Sequence, residues 1–275
     1  MKNLFNIQDK TALITGGGGL LGPKHAEAIL EYGGNCILAD WHLDKAQNNA
    51  NKLNEKYGAG KATAIHLDVT SKDSVLEAVN TIYNTSKIDI LINNAAKDPK
   101  VKKDSSLGLE CRFEQMSESY WREGIDAIIN GTFFVSQVVI NKMLEHKTEG
   151  VVLNISSDLG VIAPDQRIYR QPGLKDEEQN VKPITYSAGK WAVIGITKYL
   201  AVYFAKKGIR VNCLSPTGVY NNHPEDFVKK LSNIIPMGRM SHIDEYKGAI
   251  VFMCSSASSY MTGENVVIDG GKTVW

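Results

Sequence analysis

The sequence predicts an α/β fold: one doubly wound parallel sheet of about seven strands with helices on both faces. Three observations carry this. Short apolar runs alternate with helix-length amphipathic stretches from end to end. A glycine-rich turn separates the first run from the first helix. No repeat or low-complexity linker divides residues 1–275, so the whole chain reads as a single domain. Strands alternating with helices require right-handed crossovers, and ligands of such sheets lie beyond the carboxyl ends of the strands.

The elements follow in order. Lys10–Thr15 reads as a strand and Leu20–Tyr32 as a helix. Asn35–Ala39 and Ala62–Leu67 are strands, followed by helices over Leu43–Tyr57 and Lys72–Thr85. Ile88–Ile92 is the fourth strand. Glu118–Glu145 reads as one long helix, then Val151–Ile155 as a strand. Ile184–Lys206 and Ile243–Ser255 are helices, and Ile209–Leu214 and Asn265–Ile268 strands. Two segments break this rhythm. Lys97–Phe113 is polar, with Lys100, Lys102 and Lys103 close together; Asp165–Pro183 carries Arg167, Arg170, Lys175 and Lys182. Long loops of this kind line pockets or form solvated surface.

Composition excludes several classes. Lys+Arg is 31 against 30 for Asp+Glu, a net charge of +1, so no global pull toward nucleic acid or an anionic membrane is expected. The apolar runs are short, so no membrane span and no signal peptide is expected. The four cysteines are scattered without a C-x-x-C pair, which suits free thiols in a reducing, cytoplasmic setting. No metal site is expected.

The turn Thr15-Gly16-Gly17-Gly18-Gly19-Leu20-Leu21-Gly22 contains G-x-G-x-x-G between a strand and a helix. Glycine allows a tight turn and close approach of a pyrophosphate, and the helix start offers free N–H groups. Gly16, Gly19, Leu20 and Leu21 are therefore candidate cofactor contacts in a Rossmann-like unit. Asp40 ends the second strand, 24 residues after Gly16. A carboxylate there accepts from both ribose hydroxyls of an adenosine and repels a 2′-phosphate, which favours NAD over NADP. It is also a possible cap for the next helix. Trp41 follows it. Asp68 and Val69 could bracket an adenine, and Asn94 and Ala95 could admit a ribose.

Tyr186 and Lys190 are four residues apart in a helical stretch, and so share a face. A tyrosine acting as a base near neutral pH needs a neighbouring cation. The same spacing also occurs in plain surface helices. Ser157, past the fifth strand, could hold a substrate oxygen near the phenol, or merely cap the strand.

Taken together, the glycine turn, Asn93-Asn94-Ala95, Ser157, Tyr186/Lys190, the run Ile209–Pro216 and Tyr260–Gly271 resemble the short-chain dehydrogenase/reductase family over nearly the whole length. The resemblance implies hydride transfer at nicotinamide C4 coupled to proton transfer through Tyr186. Ser157 would bind the substrate oxygen, and Lys190 would hold the nicotinamide ribose and acidify the phenol. Pro216, Gly218 and Val219 would lie at the carboxamide. It also implies a homotetramer or homodimer. Three positions depart from the family: Leu20 where compact members carry glycine, Ile128 where an asparagine normally supports a relay water, and 28 residues between Ser157 and Tyr186. The extra residues form a substrate-side insertion at about 165–183. Gly160–Pro164, this insertion and Ser215–Gly218 look like flagellin-modification dehydrogenases of surface-sugar pathways, the legionaminic-acid type.

The expected activity is an NAD-dependent alcohol/ketone oxidoreductase acting on a polar, anionic sugar derivative, the anion meeting Arg167 and Arg170. Those charges could equally belong to a solvated loop. A 3-oxoacyl or polyol reductase and a non-catalytic NAD-binding sensor are the alternatives.

Overall fold

The structure is a computed structural model and describes residues 3–98 and 109–275. Lys100, Lys102 and Lys103 of the polar loop lie outside the described residues.

Seven strands form one parallel sheet: β1 (Thr11–Thr15), β2 (Asn35–Asp40), β3 (Ala62–His66), β4 (Ile90–Asn93), β5 (Gly150–Ile155), β6 (Ile209–Pro216) and β7 (Asn265–Ile268), in the order β3-β2-β1-β4-β5-β6-β7. The chain builds outward from β1 to β3, then returns to lay β4 on the other side of β1. That reversal opens a crevice between the ends of β1 and β4.

Alternation along each strand divides the core into two layers. Ala12 and Ile14 pack with Ala26 and Ile29 of α1 (Gly22–Glu31), Leu53 of α2 (Leu43–Tyr57) and Ile250 of α8 (Lys247–Cys254). Leu13 faces the opposite layer, with Val79 of α3 (Lys72–Tyr83) and Val139 of α5 (Gly131–Glu145). α6 (Ile184–Phe204) lies on the same side through Ala201. The helix starts follow local chemistry: Ser71 Oγ accepts from Ser74 N at 3.3 Å to cap α3, and Pro23 sits in the first turn of α1.

Three elements differ from expectation. The long helix is α4 (Glu118–Ile125) and α5 joined by a π-helical segment, Asp126–Asn130. An extra residue in the turn re-aims the side chains that follow it. α8 begins at Lys247, four residues later than Ile243, because residues 243–246 form turns. α7 (Glu225–Ser232) was not anticipated. It is short and half charged, and only Leu231 is buried, so its periodic signal is thin. Its acids in the first turn and lysines in the last do match a helix dipole.

One helical stretch does exceed the expected apolar limit. Glu118–Glu145 is long and apolar enough to cross a membrane by length and composition, with a mean hydropathy of 1.3. Half of that window is buried, and Val135, Val138, Val139, Ile140 and Met143 pack on the sheet, so it serves as a core helix. All four cysteines are buried free thiols; burial pushes Cys213 up to about 11 and Cys254 up to about 12.

Candidate active site

A cleft of about 1600 Å³ runs across the carboxyl ends of the strands. At its centre the loops after β1 and β4 are stitched together. Thr15 Oγ1 accepts from the N–H groups of Asn94 and Ala95, both at 3.0 Å, and Asn94 Nδ2 donates to Thr15 O at 3.0 Å. Gly16 has φ +69°, and a Cβ there would lie 2.9 Å from Asn94 Nδ2. A Cβ on Gly22 would lie 2.3 Å from Gly16 O, so α1 can start this close to the turn only with glycine. Gly16, Gly19, Leu20 and Leu21 all line the cleft.

Asp40 is buried in the cleft wall, and its carboxylate accepts from Gly18 N and His42 N, both at 2.9 Å. It therefore ties the glycine turn to the end of β2. Trp41, Asp68, Val69, Asn94 and Ala95 continue this wall. Asp68 accepts from Thr70 N at 2.9 Å and Thr70 Oγ1 at 2.7 Å, so it also shapes its own loop. Pro216, Gly218 and Val219 line the far wall.

Ser157, Tyr186 and Lys190 meet at the other end of the same cleft. Lys190 is 3% exposed; its Nζ donates to Ile155 O at 2.7 Å and lies 5.7 Å from the centre of the Tyr186 ring. Burial lowers the ammonium to about 8. The phenol moves the other way. Burial, with the carboxylates of Asp98 and Asp158, holds Tyr186 well above its ordinary value, against a lowering hydrogen bond with Ser157. Burial therefore sets the direction of the phenol's shift. Ile128, 1% exposed in the π segment, packs with Val193, Cys213 and Tyr186, and Asn130 bonds Asp126 at 2.6 Å.

The insertion divides its charges. Arg167 is turned to Asp165, with bonds of 2.9 and 2.7 Å, and its side chain is 84% exposed. Arg170 pairs with Asp176. Neither lines the cleft, because each has a carboxylate of its own loop within reach. Lys182 does line it: Nζ lies 4.1 Å from the Tyr186 ring centre and pairs with Asp98. The backbone of Lys182 is clamped by the Gln166 amide at 2.8 and 3.1 Å. Sequence reasoning missed Asp158, Lys272, Tyr169 and the start of α7, all in the cleft wall. Asp158 stood beside Ser157 as a visible clue; Lys272 has no local signal.

A phosphate-admitting glycine turn, an acid ending the next strand and a serine–tyrosine–lysine cluster over one cleft define a dinucleotide-dependent oxidoreductase. Comparison with known proteins agrees. The short chain dehydrogenase family matches residues 10–169, and a family described as Enoyl-(Acyl carrier protein) reductase matches residues 176–273. The chain belongs to the short-chain dehydrogenase/reductase family. It is 29% identical to the NAD-dependent glycerol dehydrogenase of Listeria innocua, over 98% of this chain and 96% of that one. It is 30% identical to the 3-oxoacyl-acyl-carrier-protein reductase FabG of Aquifex aeolicus, over 97% and 98%. A solved gluconate 5-dehydrogenase from Burkholderia cenocepacia, in complex with NADP and tartrate, superposes with a TM-score of 0.82 at 25% identity, covering 99% of this chain and 98% of that one.

Proposed function

We propose that this protein is an NAD-preferring dehydrogenase that interconverts an alcohol and a ketone on a small, polyhydroxylated sugar derivative. The observation that carries the reading is the convergence of Ser157, Tyr186 and Lys190 on the cleft that Asp40 and the glycine turn also line. The residues fit the cofactor. The glycine turn would admit a pyrophosphate, Asp40 would accept from ribose hydroxyls, and Asp68 and Val69 would hold the adenine. Asn94, Ala95 and Lys190 would hold the second ribose, and Pro216, Gly218 and Val219 the carboxamide end. A bound nicotinamide supplies the hydride acceptor or donor.

The chain's own residues handle the oxygen and the proton. Ser157 orients the substrate oxygen. Tyr186 Oη holds the proton lost or gained by that oxygen. Because the phenol is held high, alcohol oxidation accelerates as pH rises above neutrality. The buried Lys190 places a positive charge beneath the phenol and steadies the phenolate as it forms.

An acidic group on the substrate meets Lys182, not Arg167 or Arg170. A sugar acid, as in the surface-sugar dehydrogenases the insertion resembles, fits that placement. The compartment that suits four buried thiols is the cytoplasm, and the assembly is a homodimer or homotetramer. The similarity to a 3-oxoacyl reductase favours a second reading with a thioester substrate. A panel of polyols, sugar acids and acyl thioesters, each with NAD(H) and NADP(H), separates the two. Tyr186→Phe is expected to lower turnover at least about 10³-fold while NAD affinity stays within about twofold. No turnover of any alcohol or ketone by the wild type would leave a nucleotide-binding sensor.

A further inference from the structure

Among the described residues, three ion pairs have both partners in the cleft wall, and they differ in how readily a ligand can open them. Lys97–Glu123 is exposed on both sides, so water already competes for it. Lys272–Asp158 is buried on both sides, and Asp158 also accepts from Leu159 N and Thr217 Oγ1, both at 2.8 Å. Lys182–Asp98 is unlike either: the lysine side chain is 10% exposed, the aspartate 45%. The cation is firmly placed. Lys182 N donates to Gln166 Oε1 at 2.8 Å, Lys182 O accepts from Gln166 Nε2 at 3.1 Å, and Nζ rests 4.1 Å from the Tyr186 ring centre. The anion is held by the cation alone: among the described residues, no other group donates to the Asp98 carboxylate.

An ammonium withdrawn from water needs a counter-charge, because leaving it bare is costly. Asp98 supplies that charge at the reacting end of the cleft; after burial, it is the next cause that holds the Tyr186 phenol up. We infer that Asp98 stands in for a carboxylate of the substrate, and that a sugar acid binds by exchanging with it on Lys182. The exchange conserves charge. One carboxylate leaves the ammonium as another arrives, and Asp98, already half exposed, turns to water. A neutral alcohol has nothing to exchange and leaves the pair closed. Selectivity is then a difference between two anions competing for one cation, which makes Asp98 a specificity-determining residue. The inference rests on the sugar-acid reading of this site and adds what the acid must displace.

The test is calorimetric. Full-length protein saturated with NADH is titrated with D-gluconate and with D-glucitol, its neutral counterpart. NADH reduces neither, so the heats report binding alone. Asp98→Asn is expected to tighten gluconate about tenfold and to leave glucitol within about twofold. Removing the acid also removes a negative charge from the cleft, which favours any anion through space. Asp98→Asn is therefore repeated in Lys182→Met and, independently, in Lys182→Gln. The through-space gain persists in those backgrounds and the exchange does not, so the gain is expected to fall to within about twofold. In Lys182→Arg, which keeps the charge, it is expected to stay at about fivefold or more.

An equal gain with and without Lys182, or no gain in either background, overturns the inference. Weaker gluconate binding in Asp98→Asn also overturns it, because Asp98 would then be holding Lys182 in place for the ligand. So does the absence of gluconate binding in wild type and Asp98→Asn alike. Turnover separates the inference from the reading beneath it. Oxidation of neutral polyols alone, with the expected gluconate pattern intact, defeats the sugar-acid substrate and leaves the exchange standing. Oxidation of a sugar acid, with an equal gain in both backgrounds, does the reverse.

Discussion

Lys190 shows how one residue carries a stability cost for the sake of the site. Its ammonium is buried, and among the described residues it donates to one backbone carbonyl, that of Ile155. The folded pKa of about 8 lies below the ordinary 10.5, so the unfolded chain binds that proton more tightly. The cost, about 3 kcal/mol, is fully present below pH 8, shrinks as pH rises from 8 to 10.5, and is gone above. Urea unfolding of Lys190→Met and wild type should therefore show the difference moving in the wild type's favour across that window; a pH-independent difference would sink the assignment. The proposed NAD preference rests on Asp40. Removing its carboxylate in Asp40→Ser should weaken NAD binding about tenfold, or 1.4 kcal/mol, and narrow the gap to NADP in calorimetric titrations.

At the scale of elements, the close contact of α1 with the glycine turn is the tightest constraint. Gly22→Ala pushes a methyl group into Gly16 O and must shift the helix start. A loss of about 1–3 kcal/mol in chemical unfolding and a collapse of NAD affinity are expected. In the insertion, position against the cleft decides which cations matter: Lys182, though paired with Asp98, lines it, and Arg167 and Arg170 do not. Arg167→Ala and Arg170→Ala should leave KM for a sugar acid within about twofold, whereas Lys182→Met should raise it about tenfold or more. The π segment belongs to this scale too. It turns Ile128 onto Gly189, where a glycine Cβ would lie 2.9 Å from Ile128 Cγ2, and so brings α6 close. A regular helical wheel over 118–145 does not show that contact.

At the scale of the molecule, the parallel sheet gathers residues from across the chain at one rim, and the cleft follows from that. The opposite consequence is an uncovered apolar surface on the outer helices. Phe133 on α5 and Trp191, Tyr199, Val202 and Tyr203 on α6 are exposed, with the Tyr199 and Tyr203 rings stacked at 5.9 Å. A homo-oligomer that buries them is expected. Sedimentation equilibrium should return a multiple of the 30.2 kDa chain mass, and Val202→Glu should shift it toward monomer. A monomeric wild type would overturn this.

The strand–helix alternation, the glycine turn, Asp40 and the Tyr186/Lys190 spacing were legible in the sequence because each depends on neighbours a few residues away. Periodicity and turn chemistry are local, and a parallel sheet then places its strand ends on one rim without further instruction. Ion pairing depends on the folded loop even over short spans: Arg167 and Arg170, which the sequence left open between pocket and solvated loop, pair with Asp165 two residues away and Asp176 six residues away. Asp158 and Lys272 lie 114 residues apart and meet only because β5, β6 and the final turn end side by side. Sequence determined the fold and the glycine-turn wall of the cleft; tertiary structure decided which charges line the rest of it, because only the packed sheet sets the distances between them.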